Sequence, residues 1–205
     1  MKGLINILLS VWVQVVSPLP ATMNNEENLL DSRQLLLEAY ENNDHEAFVE
    51  AFPSSYTDYY RLFYYKKEYA DPSFPLGEIP DYFLFGIDYF DPKIIDKLVS
   101  ISIGFRYYCE DIDNLLLHSL RKFLNTYSKE SALYLEKKED AEIISFFRMT
   151  FLALYPNNIW ETIMIVKKNI AKYSEKLIPL MKEAQKLALA DNLKMIADED
   201  ELVWW

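Results

Sequence analysis

The chain has 205 residues, of which 51% are hydrophobic and 26% charged, and a formal net charge of −11. A chain of this length and apolar content buries a core without help from a disulfide or a metal, and its charge turns away nucleic acid and anionic lipid as main partners. One cysteine, Cys109, excludes an intrachain disulfide framework and a CxxC metal site, and four scattered glycines (Gly3, Gly77, Gly86, Gly104) exclude a phosphate-cradling loop.

Residues 1–21, MKGLINILLSVWVQVVSPLPA, have the layout of a secretory signal peptide. Lys2 forms a short positive start, Leu4 to Val16 an apolar stretch, and Pro18, Pro20 and Ala21 a helix-breaking end with a small residue for cleavage. The apolar stretch is shorter than the roughly 20 residues that span a bilayer. The expectation is export to the periplasm or beyond, with residues 22–205 as one mature all-helical domain and no membrane contact in the mature form. The alternative keeps the segment as a buried helix of a cytoplasmic protein. Asn6, Ser10 and Gln14 then share one face, four residues apart.

Beyond residue 21 the pattern predicts helix almost throughout. Asn25 opens a helix with Leu29, Leu30, Leu36, Leu37 and Tyr40 inward and acids in its first turn. Asp44 to Ala51 is short and runs into Pro53. Ser55 with Asp58 caps Tyr56 to Tyr69. Residues 70–80, with three prolines and a glycine, form a loop. Asp81 to Phe90 reads equally as a short helix or an extended piece. Asp91 and Pro92 start a helix expected to reach Tyr108.

Asp111 or Asp113 begins the next helix, with Leu116, Leu117, Leu120 and Leu124 inward. Ser128 to Leu135 and Glu139 to Leu154 follow, and Pro156 ends the latter. Asn158 and Glu161 form a capping box for a helix to Tyr173. Ser174 caps the last helix, which Pro179 is expected to kink. Runs with period-two alternation are scarce. The fold class is therefore all-α: a multi-helix bundle or short α-solenoid of about nine helices.

Charge is unevenly spread. Residues 22–113 carry 19 acidic and 7 basic residues, whereas residues 114–205 carry 13 of each. Lysines 167, 168, 172, 176, 182 and 186 make a basic strip late in the chain. Asymmetry of this kind marks a partner surface or only solvated helix faces.

No set of residues reads as a catalytic or metal centre. Asp111 and Asp113 begin like a calcium loop, but Asn114 and Leu115 break the pattern. His45 and Glu46 begin like HExxH, but Val49 stands where the second histidine belongs. His118 reads as a partly buried, satisfied histidine. Cys109 reads as a small buried apolar residue, although Arg106 nearby is a group that lowers a thiol's pKa.

The aromatics stand out more. Tyr56, Tyr59, Tyr60, Phe63, Tyr64, Tyr65 and Tyr69 crowd one helix, and Tyr82, Phe83, Phe85, Tyr89 and Phe90 follow. Tyrosine offers large contact area at low side-chain entropy cost and keeps a polar tip for water. A helix with tyrosines all round cannot bury each of them, so it reads as an interface, a groove, or a core helix with hydroxyls at its edge. The terminal Trp204 and Trp205 are expected to fold back over the core.

The stretch from Phe48 to Tyr65, FVEAFPSSYTDYYRLFYY, resembles uncharacterised exported all-helical bacterial proteins that share an F-x-x-x-F-P-x-S-[FY] segment. Phe48, Phe52, Pro53, Ser55 and Tyr56 carry the first part of that pattern, Ile94–Ile103 the helix after it, and Phe146, Phe147 and Pro156 the last part. The resemblance spans about residues 35–160. It implies an exported helical fold, assigns no catalytic residue, and brings in immunity proteins of interbacterial competition.

The resulting expectation is a non-enzymatic exported binding protein, without cofactor or metal, that blocks a protein partner such as a basic toxin. The acidic half steers the partner and the aromatic stretch 56–90 anchors it. The expected contacts are Tyr59, Tyr60, Tyr64, Asp81, Asp88 and Tyr89. Two alternatives remain: a small-ligand or glycan binder with an aromatic pocket, and a hydrolase whose carboxylates converge only in the fold.

Overall fold

A computed structural model describes residues 25–64, 77–105, 111–152 and 156–202. The expected signal segment, Cys109 and the two terminal tryptophans lie outside these residues. Ten helices and no strand occur among the described residues. They are α1 (Asn25–Glu41), α2 (His45–Ala51), α3 (Tyr56–Tyr64), α4 (Ile79–Phe85), α5 (Pro92–Ser102), α6 (Asp111–Thr126), α7 (Ser128–Leu135), α8 (Asp140–Thr150), α9 (Pro156–Ala171) and α10 (Leu177–Leu202).

Local chemistry sets most helix ends. The α1–α2 turn places Asn43 at φ 53, a left-handed conformation that asparagine tolerates. There Asp44 N–H donates to the Ala39 carbonyl at 2.9 Å and Asn43 N–H to Tyr40 at 3.0 Å, the paired bonds of a Schellman ending. The Asp44 carboxylate then accepts from Ala47 N–H at 3.0 Å and caps α2. Ser55 Oγ accepts from Asp58 N–H at 3.1 Å as expected, and Asp91 caps α5 through Lys93 N–H at 2.9 Å.

Several boundaries differ from expectation. The segment after Glu78 is helical, with Pro80 in its first turn where a missing N–H costs nothing. It supplies the tenth helix. α5 stops at Ser102, not Tyr108, because Gly104 follows at φ +84. Pro156 starts α9 in place of Asn158, since its fixed φ suits a first helical residue. Ser174 does not cap α10, and its Oγ is buried without a partner. Pro179 falls in the first turn of α10, which runs on to Leu202.

The packing is that of a bundle. α5 lies on α8, α4 on α6, α6 on α9, and α8 on α10. A solenoid of successive pairs would not skip along the chain in this way. One contiguous core results, with Phe48, Ile94, Ile95, Leu98, Leu116, Leu120, Phe123, Phe146, Phe147 and Val166 each fully buried. Phe52 and Phe83 stack within it, with ring centroids 3.8 Å apart and planes 10° from parallel.

Basic side chains from distant positions close the carboxyl ends of these helices. Lys97 Nζ of α5 donates to the Glu50 carbonyl at 2.8 Å and to Phe52 at 2.6 Å, at the end of α2. Arg33 of α1 donates to Leu62 through Nε at 3.0 Å and through its terminal nitrogen at 2.6 Å. The Arg121 guanidinium holds the Thr150 and Leu152 carbonyls after α8. Lys176 holds Glu136 and Lys138 carbonyls after α7, at 3.0 and 3.2 Å. Each contact supplies a donor to carbonyls the helix leaves unpaired and a positive charge to the negative end of its dipole.

Candidate functional site

Where the expected contact residues lie follows from helix packing. α3 packs on α5 and α1, whereas α4 packs on α6 and α2. Tyr59 is 1% exposed, and its ring lies against Phe63 and Phe105. It is therefore a core residue and not a partner contact. Its neighbour Tyr60, about 100° further round the helix, is 37% exposed and meets Tyr56. The side chain of Tyr64 lies outside the described residues.

Asp81, Asp88 and Tyr89 are exposed on α4 and the connection after it, with Tyr89 at 66%. Asp81 accepts a hydrogen bond from the buried Ser119 hydroxyl of α6 at 2.6 Å. Asp81 thus leans on α6, Asp88 and Tyr89 follow the end of α4, and Tyr60 stands on a different helix.

A second group, which the sequence did not single out, gathers beside α4. The end of α1, the α1–α2 turn and the start of α4 bring Glu38, Glu41, Asp44 and Glu78 to the surface, all exposed. None of these four forms an ion pair among the described residues. Tyr40 and Tyr82 stand beside Glu78 and Asp44, edge to face with ring centroids 5.0 Å apart. The Tyr40 hydroxyl donates to the Glu78 carboxylate. That bond raises the Tyr40 phenol above its ordinary pKa, with burial and the Glu78 charge adding to it. Burial, then the Asp44 charge, raises Tyr82 likewise.

This corner is held firmly from beneath. His45 is buried, packs on the Tyr82 ring, and its Nε2 lies 3.1 Å from the Phe83 carbonyl oxygen. Phe48 meets Tyr82 edge-on at 4.8 Å. His45 thus serves packing, which accounts for it without a second histidine. No family model, no characterised protein and no solved structure matches this chain. Its surface chemistry alone carries the functional reading.

The bases do not balance this acidic corner. Lys93 is drawn to Glu50 at 2.6 Å and Glu46 at 3.7 Å. Lys138 pairs with Asp96 at 2.5 Å, and the Tyr134 hydroxyl also donates to that carboxylate. The late basic strip is divided among tasks. Lys176 pairs with Asp140 at 3.4 Å besides closing α7, Lys167 bonds Gln185, and Lys172 bonds Asn169 at 2.9 Å. Burial and the nearby Lys182 charge lower the Lys167 pKa.

His118 is exposed, contrary to expectation, and lines a shallow hollow with Lys122, Asn125 and Thr162. No group of three metal-ligating side chains occurs among the described residues. The segment that carries the family resemblance is structural here. Phe48, Phe52 and Pro53 are buried, and Ser55 caps α3.

Proposed function

We propose that this protein is a non-enzymatic binding module that takes up a basic protein surface over the α1–α2 turn and α4. The observation that carries the reading is a set of exposed acids with no ion pair among the described residues, Glu78 and Asp44 beside Tyr40 and Tyr82, with Glu38 and Glu41 at the end of α1. Uncompensated acids steer a basic partner and speed its encounter. The flanking tyrosines give that encounter contact area once water is displaced. Asp81 on α4, and Asp88 and Tyr89 in the connection after it, are further exposed groups offered to such a partner. Blocking a toxin is the form of such binding that the sequence resemblance implies.

The test is affinity capture from the source organism at low and high salt, with the wild-type chain beside a Glu41→Lys/Glu78→Lys variant. Expected is a basic protein retained by the wild type, released by salt and missed by the variant. Capture of the same proteins by both, or of none by either, overturns the reading.

A further inference from the structure

A hollow of about 400 Å³ opens between the α2–α3 connection and α5. Two cations reach it, Arg61 from α3 and Lys97 from α5, together with two carboxylates, Asp58 and Glu50. Ser54 lines the rim, and Leu62 with Phe52 supplies an apolar wall. A smaller hollow of about 210 Å³ adjoins it and shares Glu50, Ser54 and Lys97.

Among the described residues no ion pair joins these four charges to one another, although Glu50 lies near enough to Lys97 to attract it. Arg61 forms no ion pair among the described residues. Lys97 uses two of its three ammonium hydrogens on the Glu50 and Phe52 carbonyls and keeps the third. Among the described residues the Asp58 carboxylate accepts one hydrogen bond, from the Ser55 hydroxyl at 2.6 Å. Glu50 is shared with Lys93 at the edge. The half-buried setting of Lys97 lowers its pKa, chiefly through lost hydration, so an arriving negative charge is welcome there.

We propose that this hollow binds a small zwitterion, an α-amino acid in free form, with its carboxylate on Arg61 and Lys97 and its ammonium on Asp58 and Glu50. Arginine's planar fork suits a carboxylate. A doubly charged phosphate would sit against both acids, whereas a zwitterion satisfies both signs at once. The adjoining hollow gives the ligand's side chain room. The proposal uses a different set of residues from the acidic corner and stands or falls apart from it.

Saturation-transfer NMR and calorimetry on the full chain test it, with each common amino acid offered in free, N-acetyl and α-amide form. Expected is saturable binding of at least one free amino acid, with both blocked forms weakened. Arg61→Gln and Asp58→Asn should each weaken it by roughly tenfold or more, the equivalent of about 1.4 kcal/mol. Their unfolding midpoints should stay near wild type, which separates a lost ligand contact from a lost fold. No binding by any free amino acid, equal binding of an N-acetyl form, or wild-type affinity in both variants overturns the proposal.

Discussion

The Arg121 guanidinium of α6 donates its Nε–H to the Thr150 carbonyl oxygen at 2.9 Å, 29 residues away, with the arginine only 4% exposed. A second guanidinium nitrogen reaches the Leu152 carbonyl. The buried charge is held by the carbonyl end of α8, where the helix dipole is negative. Arg121→Met should destabilise the protein by about 2–4 kcal/mol, because buried carbonyls lose their donors. Arg121→Lys should recover only part, since a point ammonium cannot span both carbonyls as the fork does. Chemical denaturation of the three proteins checks this, and a fully restored lysine variant would refute the role of the fork.

Phe52 after α2 and Phe83 of α4 are both buried and pack by a stacked contact. Phe52→Ala should cost about 3–5 kcal/mol, the usual range for an emptied aromatic site in a core. Tyr89→Ala, at a side chain 66% exposed, should change stability by less than about 0.5 kcal/mol. Thermal and denaturant unfolding measure both. A small loss at Phe52 would mean that the Phe52–Phe83 stack contributes little.

Gly86 ends α4 against the His45 ring. A β-carbon there would lie 2.2 Å from His45 Cδ2 and 2.7 Å from the Tyr82 carbonyl oxygen. The backbone at Gly86 has φ −64, so the constraint is space and not conformation. Gly86→Ala should destabilise by about 1–3 kcal/mol as His45 is pushed from its packed place. His45→Ala in the same chain should recover part of that loss, because it removes the nearer obstacle. A double-mutant cycle measures the coupling, and additive losses would show that the two residues do not meet as described.

How far the sequence disclosed this molecule depends on the range of the interaction. Helices with clear periodicity, such as α5 and α6, and caps made by a residue three positions away, such as Ser55 with Asp58, are local and were legible. α4 was ambiguous because seven residues with a proline and three aromatics fit either state. Tyr59 and Tyr60 show the harder limit. They are neighbours of the same type, and only packing against Phe63 and Phe105 decides which is core. The acidic corner and the charged hollow each join helices brought together by the fold. Glu78 meets Tyr40 across 38 residues, and Lys97 meets Phe52 across 45. No spacing rule reaches that far, so the surplus of acid was readable while its place was not.

Alkaline titration probes the corner directly. Tyr40, Tyr82 and Tyr134 all have phenols raised above their ordinary value: by the bond to Glu78 at Tyr40, and by burial first at Tyr82 and Tyr134. A raised phenol means that the folded state holds its proton more tightly than the unfolded one. The stability so gained is intact below about pH 10, the unfolded value. It is lost as pH climbs through the folded values, because the folded state must then give up protons it favours. Lys97 opposes this trend, since burial lowers its pKa and the unfolded chain binds that proton better. Lys97→Met should therefore remove a gain in stability that is complete by about pH 10.5, the unfolded lysine value, whereas Tyr40→Phe should make the fall above about pH 10 shallower. Phenolate absorbance and unfolding midpoints followed from neutral pH upward give both readouts. A Tyr40→Phe curve parallel to wild type would show that the hydroxyl and Glu78 are not bonded in solution.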